Sequence, residues 1–203
     1  MMKKYIILPT LFLLLQVFNC LAPFNLDKSS KHSICIVVPA YNEEDRIERT
    51  LKAYVEYFRE IPYLKLKLLI VCNNCSDNTV PICEKQAEKY KEIEVLNFIP
   101  GGKGFAVKEG FKAALKKDYE LIGFVDADMA TKPKYFHDLI IEMDNHDGAI
   151  ASRYCKGANV AAAHPFLRKI SGRVFNWVVQ KRFKFKFQDT QCGAKIFTYD
   201  TIE

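Results

Sequence analysis

Short, almost uninterrupted apolar runs punctuate this chain at Ser33–Val38, Leu64–Val71, Ile93–Phe98 and Leu121–Val125. Runs of that length, rich in Ile, Val and Leu, read as strands buried on both faces. Between them lie helical patterns: an amphipathic stretch over Asp45–Phe58, a second reaching about Tyr90, and a third over Phe105–Lys117. Strands alternating with helices of this length predict an α/β fold built on a doubly wound, mostly parallel sheet. Each strand runs into polar or glycine-rich residues: Pro39–Glu44, Asn73–Thr79, Pro100–Gly104 and Asp126–Pro133. Open sheets of this kind bind ligands outside the C-terminal ends of their strands.

The fourth run stops at two carboxylates, Asp126 and Asp128. In extended backbone, side chains at i and i+2 lie on one side, so both acids are expected to face one spot. Like charges that close are costly unless a cation or proton neutralises them. A hard, oxygen-liking Mg²⁺ or Mn²⁺ shared with substrate phosphates would do so; a strand-ending turn with solvated acids is the alternative. Gly101-Gly-Lys-Gly104 before a helix reads equally as a phosphate cradle and as a tight turn, with Lys103 the residue to bind anything there. Its glycines lack the P-loop spacing, which argues against ATP.

Together the segments VPAYNEEDRI, VCNNCSDNT, GGKGFAVKEG, FVDADMATKP, ASRY and QDTQCGAKIF resemble a family 2 inverting glycosyltransferase of GT-A fold, and within that family the dolichyl-phosphate β-glucosyltransferases and other polyprenyl-phosphate glycosyltransferases. The resemblance runs from about Ser33 to Phe197. It implies displacement at the anomeric carbon of a nucleotide sugar, with a metal on the leaving diphosphate stabilising the charge that develops. By the same resemblance Asp128 is a direct metal ligand, and Asp126 sits nearer the nucleotide or a metal-bound water. Pro39, Tyr41 and Glu43 match the loop around base and ribose. Asn73 and Asn74 stand where the family often has acids near uracil; Asp77 reads as a helix cap or a ligand contact. Arg153 and Arg168, with Ser171 nearby, match acceptor-phosphate ligands. Asp189 is expected to orient those arginines, to act as a base, or to be the buried partner of a cation. Glucose from UDP-glucose is the expected donor and a polyprenyl phosphate the expected acceptor. The family continues past the equivalent of Glu203, so the acceptor side is expected to be incomplete.

Charge adds an independent clue. The chain carries a net +6. Between Asp147 and Asp189 there is no acid, while Arg153, Lys156, Arg168, Lys169, Arg173, Lys181, Arg182, Lys184 and Lys186 all fall there. Interleaved with Phe166, Ile170, Phe175, Trp177, Val178 and Val179, they predict an amphipathic helix at a membrane surface that collects phosphate or anionic lipid, with a solvated basic face as the alternative. Nucleic acid could use such a patch, but no nucleic-acid motif accompanies it. A phosphomonoester acceptor is already ionised near neutral pH, its second pKa being about 6, so positioning suffices; a sugar hydroxyl would need a general base. Seven cysteines without framework spacing point to reduced thiols. Cys72-Asn-Asn-Cys75 lacks the further ligands a zinc site needs.

At the N-terminus Lys3-Lys4 precede an apolar stretch from Tyr5 to Phe18 that continues to Phe24. It reads as a membrane anchor or signal-like segment over residues 1–24, an uncleaved anchor being favoured because no small-x-small cleavage site precedes Asn25, followed by a linker over 25–32 and the GT-A domain over 33–203. Nucleotide sugars are made in the cytosol, so the catalytic domain is expected to face it. A transferase acting on a lipid or polysaccharide hydroxyl and a non-catalytic nucleotide-sugar-binding remnant both stay open at this point.

Overall fold

The computed structural model describes residues 24–153, 175–182, 189 and 191–203. The anchor expected over 1–24 lies outside them apart from Phe24, as do Arg168 and Ser171. No described helix is long and apolar enough to cross a membrane.

Six strands form one sheet in the order β3-β2-β1-β4-β6-β5. They are β1 (His32–Ala40), β2 (Leu64–Asn73), β3 (Ile93–Phe98), β4 (Leu121–Val125), β5 (Gly148–Ile150) and β6 (Ala194–Thr198). The first four are mutually parallel, whereas β6 runs antiparallel to both β4 and β5. The sheet is therefore mixed. Apolar patterning encodes burial and not strand direction, so the reversal at β6 needed the structure. β2 shows how burial tracks position: Lys65 and Lys67 alternate outward only until Leu68, where β3 begins to pair and every later residue is buried or nearly so.

Helices α1 (Ile47–Arg59), α2 (Thr79–Lys89) and α4 (Pro133–Ile141) pack on one face through a core containing Leu51, Tyr54, Cys83, Phe136 and Leu139. On the other face α3 (Lys103–Ala114) buries a stripe of small residues, Ala106, Gly110 and Ala114. A Cβ at Gly110 would collide with Val37, so this helix lies unusually close to β1 and β2. That approach sets its first residue, Lys103, at the C-terminal edge of the sheet. A last short helix, α5 (Tyr199–Ile202), adds Tyr199 and Ile202 to the same face.

The first described residues dock on the domain. Phe24 bridges to His146, its carbonyl accepts the Asn145 N–H at 2.6 Å, and the Leu26 N–H donates to Asp144 Oδ1 at 3.1 Å. Two histidines are likewise structural. His32 Nδ1 lies 3.2 Å from Glu120, and buried His137 bonds the hydroxyls of Tyr57 (3.1 Å) and Tyr63 (2.7 Å).

Candidate functional site

The C-terminal ends of β1, β2, β3 and β4 deliver their loops to one edge. Strand β4 ends at Val125, so Asp126 and Asp128 stand in the loop after it and not in the strand itself. Ala127 between them is buried, Asp126 is half-buried and Asp128 exposed.

Helix α1 holds this loop from below. Thr50 Oγ1 donates to the Ala127 carbonyl at 2.7 Å, and Tyr54 Oη donates to the Thr131 carbonyl at 2.8 Å. Four residues apart, the two hydroxyls share one helix face and grip the loop on either side of Asp128. Burial pushes the Tyr54 phenol well above its usual range, and the charges of Asp126 and Asp128 add to the effect. Sequence patterning marked this face only as core; two hydroxyls at i and i+4 within it were the available signal.

Asp126 is fixed from a second direction. Its N–H donates to the Gly193 carbonyl at 3.0 Å, and its carboxylate lies so close to Gly193 that a Cβ there would overlap Oδ2 and Cγ. The glycine of the Asp-Thr-Gln-Cys-Gly segment thus makes room for the aspartate. Asp126 Oδ1 lies 2.5 Å from Lys103 Nζ. Lys195 of β6, which the sequence did not single out, sits on the same side: Lys103 and Lys195 lie 5.9 and 5.6 Å from the Phe124 ring centroid. Burial lowers the Lys195 pKa, and Lys103 adds to the lowering, while Cys192, Asp189 and Asp126 oppose it.

The β1 and β2 loops are knitted together. Glu43 N–H donates to Thr79 Oγ1 (2.7 Å), Asn42 Oδ1 accepts from the Ser76 N–H (2.9 Å), and Glu44 Oε2 accepts from the Asn78 N–H (3.0 Å). Asp77 stands one residue before the N-cap of α2, which is Asn78, and its carboxylate accepts the N–H groups of Thr79 (3.0 Å) and Glu44 (3.2 Å). Tyr41 is exposed at the rim, whereas Pro39 is buried within β1. Burial raises the Glu43 pKa; Arg46, 2.7 Å away, opposes this, and Asp128 and Asp126 add to it. Glu43 therefore shares the electrostatic neighbourhood of the two aspartates.

Asn73 departs from its expected base contact. It is 2% exposed, and with its amide turned so that both ends find complementary groups it donates to the Ala40 carbonyl (3.2 Å) and accepts from the Gly102 N–H (2.9 Å). It ties β1 to the glycine loop and is inaccessible to a ligand. Asn74, with φ of 54°, donates its N–H to the Phe98 carbonyl at 2.8 Å and packs against Gly101.

Asp189 is 2% exposed and accepts three hydrogen bonds from Arg153, from its N–H (2.9 Å), Nε (2.8 Å) and Nη2 (2.9 Å). Of the roles expected for it, this geometry accommodates both the orienting one and that of a buried partner to a cation. A carboxylate clamped bidentately by a guanidinium is poorly placed to take a proton.

The donor set suits Mg²⁺ or Mn²⁺: two carboxylate oxygens from one loop, with hard-ligand chemistry and a glycine clearing the space beside one of them. Among the described residues no group of three or more His, Cys, Asp or Glu side chains is set to hold a metal by itself. Such a pair would leave the rest of the shell to water or to oxygens of a substrate.

A family model described as glycosyl transferase family 2 matches residues 35–201. The chain is 36% identical over 174 residues to a dolichyl-phosphate beta-glucosyltransferase of Trichomonas vaginalis, covering 80% of this chain and 50% of that protein. It is 30% identical over 191 residues to the dolichyl-phosphate beta-glucosyltransferase of Drosophila melanogaster, covering 87% and 58%. It thus spans about half the length of the curated relatives it matches. Among solved structures it resembles glucosyl-3-phosphoglycerate synthase of Mycobacterium tuberculosis, in complex with Mn²⁺, UDP and glucosyl-3-phosphoglycerate. The TM-score is 0.56 at 12% identity, over 91% of this chain and 65% of that one, a likeness of fold. With its GT-A-like mixed sheet and a matched region covering most of its length, the chain belongs to glycosyl transferase family 2.

Proposed function

We propose that this chain is the donor-binding and catalytic domain of an inverting glycosyltransferase that moves glucose from UDP-glucose to a polyprenyl phosphate of the dolichyl type. Relatives named for that reaction and a fold neighbour bound to Mn²⁺ and UDP support the donor side. Asp128 and Asp126 would hold Mg²⁺ or Mn²⁺ against the diphosphate, where the cation offsets charge gained by the leaving UDP. Tyr41 and Asn74 stand at the rim where base and ribose would lie, with Glu43 behind them; Lys103 is in reach of the phosphates. Asn73 acts indirectly, by holding the glycine loop.

The observation that carries the acceptor assignment is the Arg153–Asp189 clamp. The one residue expected as a general base is occupied in fixing a guanidinium. A site so built suits a nucleophile that is already an anion: the acceptor phosphate oxygen attacks the anomeric carbon, the bond to UDP breaks, and no proton need be removed. Arg168 and Ser171 are proposed to share the acceptor phosphate with Arg153.

A membrane setting fits the same reading. On the helical segment 175–182, Phe175, Trp177 and Val178 are 48%, 59% and 49% exposed, and Lys181 lies 5.0 Å over the Trp177 ring. Aromatic and cationic side chains of this kind favour a lipid headgroup layer. We place the domain on the cytosolic face, anchored by residues 1–24.

The test is transfer of labelled glucose from UDP-glucose into extractable lipid in membranes carrying the protein, with Mg²⁺ or Mn²⁺. A product released by mild acid, as a glycosyl phosphate is, supports the proposal. An acid-stable glycolipid would point to a hydroxyl acceptor. Absence of product from every lipid acceptor, with UDP-glucose still bound, would reduce the chain to a nucleotide-sugar-binding remnant.

A further inference from the structure

With the donor-site reading of this edge as premise, we propose that Lys103 is the exchangeable counter-cation of Asp126. It neutralises the carboxylate in the free protein and passes to the nucleotide's diphosphate when a divalent cation arrives, so that metal and nucleotide bind with positive coupling.

The two partners of the ion pair are held very differently. Asp126 is fixed by its N–H bond to Gly193 and by the close fit of its carboxylate against that glycine. Lys103 is held through its backbone, at the first residue of α3 after Gly102, whose φ is 114°, and besides Asp126 its ammonium lies over the Phe124 ring, 5.9 Å from the centroid. Its side chain is 54% exposed, against 30% for Asp126. A pair held firmly on one side only opens by movement of the lysine.

The charges give that movement a direction. Lys103 and Lys195 share the Phe124 ring, and Lys103 is paired with Asp126, so a second ammonium group already lies over the ring that flanks this pair. A divalent cation at Asp126 and Asp128 adds two further positive charges at close range. Lys195 sits within a strand paired to β4, which leaves Lys103 as the cation able to withdraw. Its ammonium then needs an anion, and a diphosphate beside the metal supplies one. The two carboxylates do not form a metal cluster with any third described residue, so diphosphate oxygens replacing water in the coordination shell would strengthen the metal's hold. Both effects tie the two ligands together. By linkage, whatever nucleotide does for metal affinity, metal does equally for nucleotide affinity.

The experiment is a Mn²⁺ titration of the full chain, read from the electron paramagnetic resonance signal of free Mn²⁺, without and with UDP. It compares wild type, Lys103→Met and Lys103→Arg, corrected for the Mn²⁺–UDP complex in solution. Without nucleotide, Lys103→Met should bind Mn²⁺ about five- to tenfold more tightly than wild type, and Lys103→Arg should resemble wild type, within the usual range of coupling effects. UDP should strengthen Mn²⁺ binding less in Lys103→Met than in wild type. Equal or weaker Mn²⁺ binding by Lys103→Met without nucleotide overturns the exchange. If no form binds UDP at all, the donor-site reading falls and the nucleotide half of the exchange falls with it. The nucleotide-free titration scores displacement at Asp126 separately, so the two failures are distinguishable.

Discussion

Replacing Gly193 by Ala tests how tightly the site depends on its framework. The new methyl has no backbone obstacle of its own, because Gly193 is not among the residues of positive φ. It would, however, overlap Asp126 Oδ2 and Cγ. The Gly193 backbone cannot retreat cheaply, since it is bonded to the Asp126 N–H and leads directly into the β4–β6 ladder at Val125 and Ala194. The carboxylate must therefore move, by roughly 1 Å or more to regain normal contact, and a displacement of that size at reacting groups costs on the order of 100-fold in rate. That corresponds to about 2.7 kcal/mol of transition-state stabilisation. Overpacking should also cost about 1–3 kcal/mol of stability. Glucose transfer and Mn²⁺ binding measured on Gly193→Ala, with circular dichroism to verify the fold, form the assay. A folded Gly193→Ala protein with wild-type Mn²⁺ affinity and transfer within threefold of wild type would refute the placement of Asp126.

Further outcomes follow from the same geometry. Tyr54→Phe leaves the Thr131 carbonyl without its buried donor, costing about 1–3 kcal/mol; Thr50→Val should do the same at Ala127, and both should weaken Mn²⁺ binding although neither touches metal. Thermal unfolding and Mn²⁺ titration check this, and an unchanged Mn²⁺ affinity in both would remove α1 from the site. Asp189→Ala removes three hydrogen bonds from Arg153, whose side chain is 34% exposed and so retains access to water, and should destabilise by about 1–3 kcal/mol. Asp189→Asn, if folded, should raise the KM for polyprenyl phosphate more than that for UDP-glucose, and the opposite ranking would count against the orienting role. Burial depresses the His137 pKa, with Lys28 and Lys134 adding to this and Asp138 opposing it. Since the folded state binds that proton less readily than the unfolded chain, its contribution is complete above about pH 6.5 and is lost as pH falls through the lower folded value. Melting curves from pH 7.5 to 5 should therefore fall less steeply for His137→Phe than for wild type, and parallel curves would contradict it.

Much of the framework was legible because burial on both faces of a parallel sheet writes continuous apolar runs. The runs at Ile93–Phe98 and Leu121–Val125 match β3 and β4 residue for residue, and those at Ser33 and Leu64 fall short of β1 and β2 only at their ends. What escaped was information carried by contacts between distant residues. β5 spans three residues, too few for any period to show. Asn73 looked like a ligand because it ends a strand at the functional edge, yet β2 delivers its side chain into the gap between Ala40 and Gly102. The Arg153–Asp189 pair spans 36 positions, and the Lys103–Asp126 pair depends on how α3 seats across β1 and β2. Residue types fixed the chemistry available at the edge; the register of helix on sheet decided which groups met.

The most direct test is anomalous diffraction from crystals of the protein soaked with Mn²⁺ and UDP. A manganese peak at the Asp128 carboxylate, with UDP phosphate oxygens beside it and Lys103 withdrawn from Asp126, is the predicted result. UDP bound elsewhere on the sheet, or manganese bound away from Asp126 and Asp128, would contradict the assignment of this edge as the donor site.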